Sequence, residues 1–138
     1  MLEVAHLSAT AFMAGVIVFV QVVHYPLMGA VGRASFSAYQ RGHTARTGWV
    51  VIPAMLLELF AATWIALERA GTPDAGVAWA GLAMLAGVWI STAALQAPAH
   101  GRLMRGFDEA VHRRLVTTNW LRTVLWVARV PVAVSLLP

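Results

Sequence analysis

Residues 19–28, FVQVVHYPLM, close a long apolar run, yet they carry Gln21 and His24 three positions apart, just ahead of Pro26. A side chain that needs hydrogen bonds is costly in a lipid-like setting. These two must therefore turn toward other polar groups of the same chain. The run has the length of a membrane crossing, and three more runs follow it. They lie near 5–28, 49–67, 77–97 and 115–137, and about 20 helical residues suffice to cross a hydrocarbon core. Helices are the default there, because an open sheet cannot satisfy its edges in lipid. The chain reads as all-α, a four-transmembrane-helix bundle in one integral membrane domain over 1–138.

Composition points the same way. Hydrophobic residues make up 59% of the chain and charged ones 12%, about half the share that a soluble domain carries. The net charge of +4 does not read as nucleic-acid binding, because the basic residues fall mainly in two short loops between apolar runs. There is no lysine, which removes Schiff-base chemistry, and no cysteine, which removes disulfides, thiolate ligands and thiol nucleophiles. The first run has no positive leader and no small-residue cleavage site, so it reads as a span and not as a signal peptide.

Arginine placement predicts orientation. The first loop, about 29–48, holds Arg33, Arg41 and Arg46; the third, about 98–114, holds Arg102, Arg105, Arg113 and Arg114. The connection ERAGTPDAG between the second and third runs is nearly neutral. Loops one and three then face the cytoplasm of a plasma membrane, and both termini face outward. Asp108 reads as the N-cap of a fourth helix that begins below the membrane. The two halves also echo one another: Gln21, Pro26, Phe36, His43 and Trp49 in the first, Gln96, Pro98, Phe107, His112 and Trp120 in the second. If that is a repeat, it is a parallel one, two hairpins related by an axis along the membrane normal.

Helical spacing places His6, Thr10, Ile17, Gln21 and His24 on one stripe of the first helix. His6 and His24 are about 27 Å apart along it and cannot share a site. Glu58 is the only acid within an apolar run; with Ala54 and Ala62 on either side, a neighbouring helix can come close. It must be protonated, paired or coordinating. Arg122 and Arg129 share a face with Asn119 and Trp126 and are its available partners. A buried ion pair and a charged wall for a substrate or proton path both fit. Trp89, Thr92 and Gln96 share a face of the third helix.

The expected site is thus a cluster in the cytoplasmic half. His24, Glu58 and Arg122 would carry catalysis, and Gln21, Gln96, Asn119 and Trp120 would hold substrate. His24, His43 and His100 are candidate ligands for a metal ion or haem, since imidazole suits several metals; a hydrogen-bonded structural role is the alternative for each. His112, beside Arg113 and Arg114, reads as exposed.

FVQVVHYPLM, ARTGWVVIPAMLLEL and RRLVTTNWLRTVLWVAR, with the block Asn119 to Thr123 as the most distinctive part, resemble small bacterial four-helix integral membrane proteins near the anthrone-oxygenase-like family. The resemblance implies the four-helix membrane bundle and, more faintly, a redox activity. VAHLSATAFMAG is similar to the first helix of membrane haem proteins of the protoporphyrinogen-oxidase type, with His6 at the histidine; that family also relies on a lysine, which this chain lacks. Together these readings predict a membrane enzyme, redox in type, acting on a lipophilic small molecule from the bilayer, with homo-oligomers open. The alternatives are a transporter or channel protomer with an intramembrane Glu/Arg path, and a structural membrane partner without chemistry.

Overall fold

The computed structural model describes residues Met1–Pro138 and is helical throughout, with no strand. Four long helices account for nearly all of it: α1 Leu2–Met28, α2 Arg33–Glu68 and α3 Ala75–Leu103, then α4 Glu109–Ser135. They form a ring in which α1 packs on α2 and α4, and α3 on α4 and α2. At Gly81 a side chain would meet Val132 Cγ1 at 3.0 Å, so this glycine lets α3 and α4 approach.

The helices overrun the apolar stretches at the arginine-rich end. The expected first loop shrinks to residues 29–32, since α2 starts at Arg33. The expected third loop shrinks to 104–108, because α3 runs to Leu103 and α4 starts at Glu109. Hydropathy marks only the apolar part of a helix, and polar turns beyond it are still helical. Asp108 is the N-cap expected, its side chain accepting from the Val111 amide at 3.0 Å. The added turns pack into a small core of their own, with Tyr25, Met28, Phe36, Ala99, Leu103 and Leu115. Phe36 and Phe107 meet edge to face at 4.9 Å.

α1 and α3 share an irregularity. Val20–His24 and Thr92–Gln96 are π-helical, and in each case a proline, Pro26 or Pro98, follows two residues later. Proline has no amide proton, and its ring collides with the carbonyl four residues earlier. Those carbonyls belong to Val22 and Ala94, inside the wide turns that relieve the conflict. The extra residue also turns the helix beyond it. In α1 the inward side continues from Ile17 through Gln21 to Tyr25 and Met28, while His24 is left half-buried.

Polarity runs inside out. Large apolar side chains cover the outside, among them Val22, Leu27, Leu56, Phe60, Ile90 and Val124. The buried polar residues include Thr10, Gln21, Glu58, Gln96, Asn119, Arg122 and Arg129. α1, α2 and α3 are each long and apolar enough to cross a membrane. α4 is less apolar in total because it turns Asn119, Arg122, Thr123 and Arg129 inward; Leu121, Val124, Val127 and Val134 lie on its exposed side.

Candidate functional site

The polar residues gather in two layers, not one. The layer toward the termini centres on Glu58, whose side chain has no solvent exposure. Its Oε1 accepts from Thr10 Oγ1 at 2.8 Å and lies 3.2 Å from an Arg129 terminal nitrogen; its Oε2 accepts from Trp126 Nε1 at 2.9 Å. The same Arg129 nitrogen donates to His6 Nε2 at 3.0 Å. Guanidinium can only donate, so in this arrangement His6 Nε2 accepts and the ring proton is on Nδ1. Glu58 is therefore the partner of Arg129, and it stands apart from His24.

Nearer the arginine-rich end, α1, α3 and α4 are tied by a relay. Gln21 donates to the Val116 carbonyl at 3.1 Å and accepts from Asn119 Nδ2 at 2.7 Å. Asn119 Oδ1 accepts twice from Arg122, from Nε at 2.9 Å and from a terminal nitrogen at 2.6 Å. The other terminal nitrogen donates to Thr92 Oγ1 at 3.1 Å. Gln96 joins Ser91 and Thr118 at 3.0 and 3.3 Å. Trp126 links the layers, since its ring lies 5.7 Å from the Arg122 guanidinium carbon while its N–H serves Glu58.

Beside this relay a cavity of about 340 Å³ opens between α2 and α3. Its walls are mostly apolar, with Met13, Ile17, Val51, Met55, Trp89 and Trp126 among them. Its polar lining comes from Tyr25, His43, Thr44, Thr47, Thr92, Gln96, His100 and Arg122. Of the residues expected from sequence, His43, His100, Gln96 and Arg122 reach this cavity. Gln21 and Asn119 stand behind Arg122 and hold it. His24 and Glu58 do not line the cavity, and Trp120 is 51% exposed on the outer surface.

Two residues that spacing does not flag complete the polar end. Gln40 is fully buried, and its Nε2 lies 2.7 Å from His100 Nδ1; the Tyr25 hydroxyl lies 2.9 Å from His100 Nε2. With Gln40 donating to Nδ1, the imidazole proton sits on Nε2 and goes to the Tyr25 oxygen. The hydroxyl proton of Tyr25 is then free for an acceptor in the cavity. A regular helix would turn His24 inward and Tyr25 away, so only the π turn reveals Tyr25. Gln40 was hidden in a segment that reads as a loop.

The three candidate metal ligands do come near one another. The His24 and His43 rings stack at 4.3 Å and His43 lies 5.7 Å from His100. Their nitrogens are directed elsewhere: His24 to Tyr39, His43 to Thr47, His100 to Tyr25 and Gln40. No group of three histidine, aspartate or glutamate side chains is placed to hold a metal ion. His24 and His43 stack, His100 is tilted to His43 by 41°, and the four hydrogen bonds are separate ones. His112 is not exposed either; it is half-buried, with Nε2 2.8 Å from the Tyr25 carbonyl.

The chain matches no protein-family model, no curated protein and no solved structure. The functional reading therefore rests on the cleft and the side chains at its polar end.

Proposed function

We propose that the chain is a multi-pass membrane enzyme that admits a lipophilic small molecule into the α2–α3 cleft and acts on it at the Tyr25–His100–Arg122 end. The observation that carries this is the cavity itself, mostly apolar in lining with Tyr25, His43, His100 and Arg122 among its few polar groups. Sites of this size with a few convergent polar groups are the usual form of a small-molecule pocket. Membrane residence is supported by the apolar exterior, by three helices of spanning length and by the apolar outer side of α4. Seven arginines, Arg33, Arg41, Arg46, Arg102, Arg105, Arg113 and Arg114, are exposed at one end. By the positive-inside rule that end is cytoplasmic, and both termini lie outside the bacterial plasma membrane.

Tyr25 and Arg122 would donate to an oxygen that gains negative charge, and His43 is the cavity-lining group able to take up a proton. Proton transfer and anion stabilisation are what these side chains supply. Oxidation of the bound compound would call for an electron acceptor besides them. A transporter is less favoured, because Met13, Met55 and Trp126 floor the cavity and Glu58, Thr10 and His6 lie outside its lining.

Extraction of protein purified in mild detergent tests the reading. Wild type should retain a lipophilic compound in stoichiometric amount, and Met55→Trp, which fills the cavity, should lose it. Equal retention of the same lipids by both would refute it.

A further inference from the structure

We infer that the molecule in the cleft is an acid bound as its anion, with Arg122 as the counter-ion; this rests on the cleft reading above and names the class of compound. Two cations, Arg122 and Arg129, are buried in the bundle, with Glu58 as the single buried acid. Glu58 is taken by Arg129 at 3.2 Å. Arg122 is only 9% exposed and has no carboxylate within salt-bridge reach; its partners, Asn119 and Thr92, are neutral. A cation left alone in a low-dielectric interior is strongly disfavoured, so the fold gains most from a partner that brings the missing negative charge.

The cavity is where that partner can sit. Arg122 lines it, and three of the five guanidinium N–H groups are used by Asn119 and Thr92, which leaves two for a ligand. No aspartate or glutamate lines the cavity. Among the other polar lining groups the Tyr25 hydroxyl, which accepts from His100, keeps its own proton to donate to a carboxylate or phenolate. Arg41, at the edge of the cleft, spans to the Met104 carbonyl at 3.5 Å and adds positive charge at the arginine-rich end. The remaining wall is apolar and suits a hydrocarbon tail or ring system.

The test compares dodecanoic acid with dodecanol, binding to protein in phosphatidylcholine nanodiscs, read by displacement of a lipophilic fluorescent probe. Wild type should hold the acid tighter than the alcohol by about tenfold to a hundredfold, the factor that one charge-assisted hydrogen bond supplies. The preference should vanish in Arg122→Gln and persist in Arg122→Lys. It should also fade in wild type as pH falls and the ligand carboxyl takes up its proton, a measurement that needs no variant. Equal binding of acid and alcohol in wild type, or a preference that survives protonation or Arg122→Gln, would overturn the inference and leave the cleft reading standing. If neither compound binds, the cleft reading falls and the inference with it.

Discussion

Glu58 of α2 and Arg129 of α4 meet at 3.2 Å with both side chains sealed from solvent. Their attraction compensates for desolvation only while both are present. Glu58→Gln should strand Arg129 and cost about 3–5 kcal/mol. Thermal unfolding in detergent should show a large drop for Glu58→Gln and a smaller one for Glu58→Gln combined with Arg129→Met. A single variant as stable as wild type would show that the pair does not hold α2 to α4.

His112→Ala should also destabilise the protein, by about 1 kcal/mol. The ring bonds the Tyr25 carbonyl, and a Cβ at Gly29 would meet His112 Cε1 at 3.1 Å, so α1 ends against this histidine. Gly29→Val should cost more than His112→Ala, because a branched side chain collides with the ring where the smaller change merely removes it. Denaturation of the two variants side by side checks the order.

What sequence revealed and concealed follows from how each signal arises. The four helices were legible because their outer faces carry apolar side chains in long runs. The Glu58–Arg129 contact was foreshadowed by depth alone, since few cations could reach that acid. Tyr25 was not legible, because a one-residue π insertion before Pro26 breaks the 3.6-residue stripe that placed His24 inward. Gln40 was missed because the polar turns of α2 lower local hydropathy without ending the helix. The split into two layers was likewise concealed: depth along separate helices says nothing about which residues face each other across the bundle.

Orientation is open to direct measurement. Reporter fusions in the Gly71–Pro73 turn and at Arg105 should label from opposite sides of the membrane, with Arg105 cytoplasmic. The arginine-rich end is built from the start of α2, the end of α3 and the start of α4, so its charges act together. Labelling of both positions from one side would break the four-span reading.

The π turn in α1 makes the last prediction sharp, because it separates two adjacent residues. Tyr25 lines the cavity and is bonded to His100, whereas His24 lies outside the lining, stacked on His43 and bonded to Tyr39 at a long 3.4 Å. Tyr25→Phe keeps the ring that packs against the core and removes only the hydroxyl, so the helix content by circular dichroism should not change. It should lower retention of the co-purified compound by about tenfold, the loss expected for one hydrogen bond to a charged group. His24→Ala should leave retention within about twofold, since a long, half-exposed bond contributes little. Trp120→Ala should be silent as well, as its ring points away from the cleft. If His24→Ala abolishes retention while Tyr25→Phe does not, the ligand lies on the His24–His43 stack and the polar end of the α2–α3 cleft is structural.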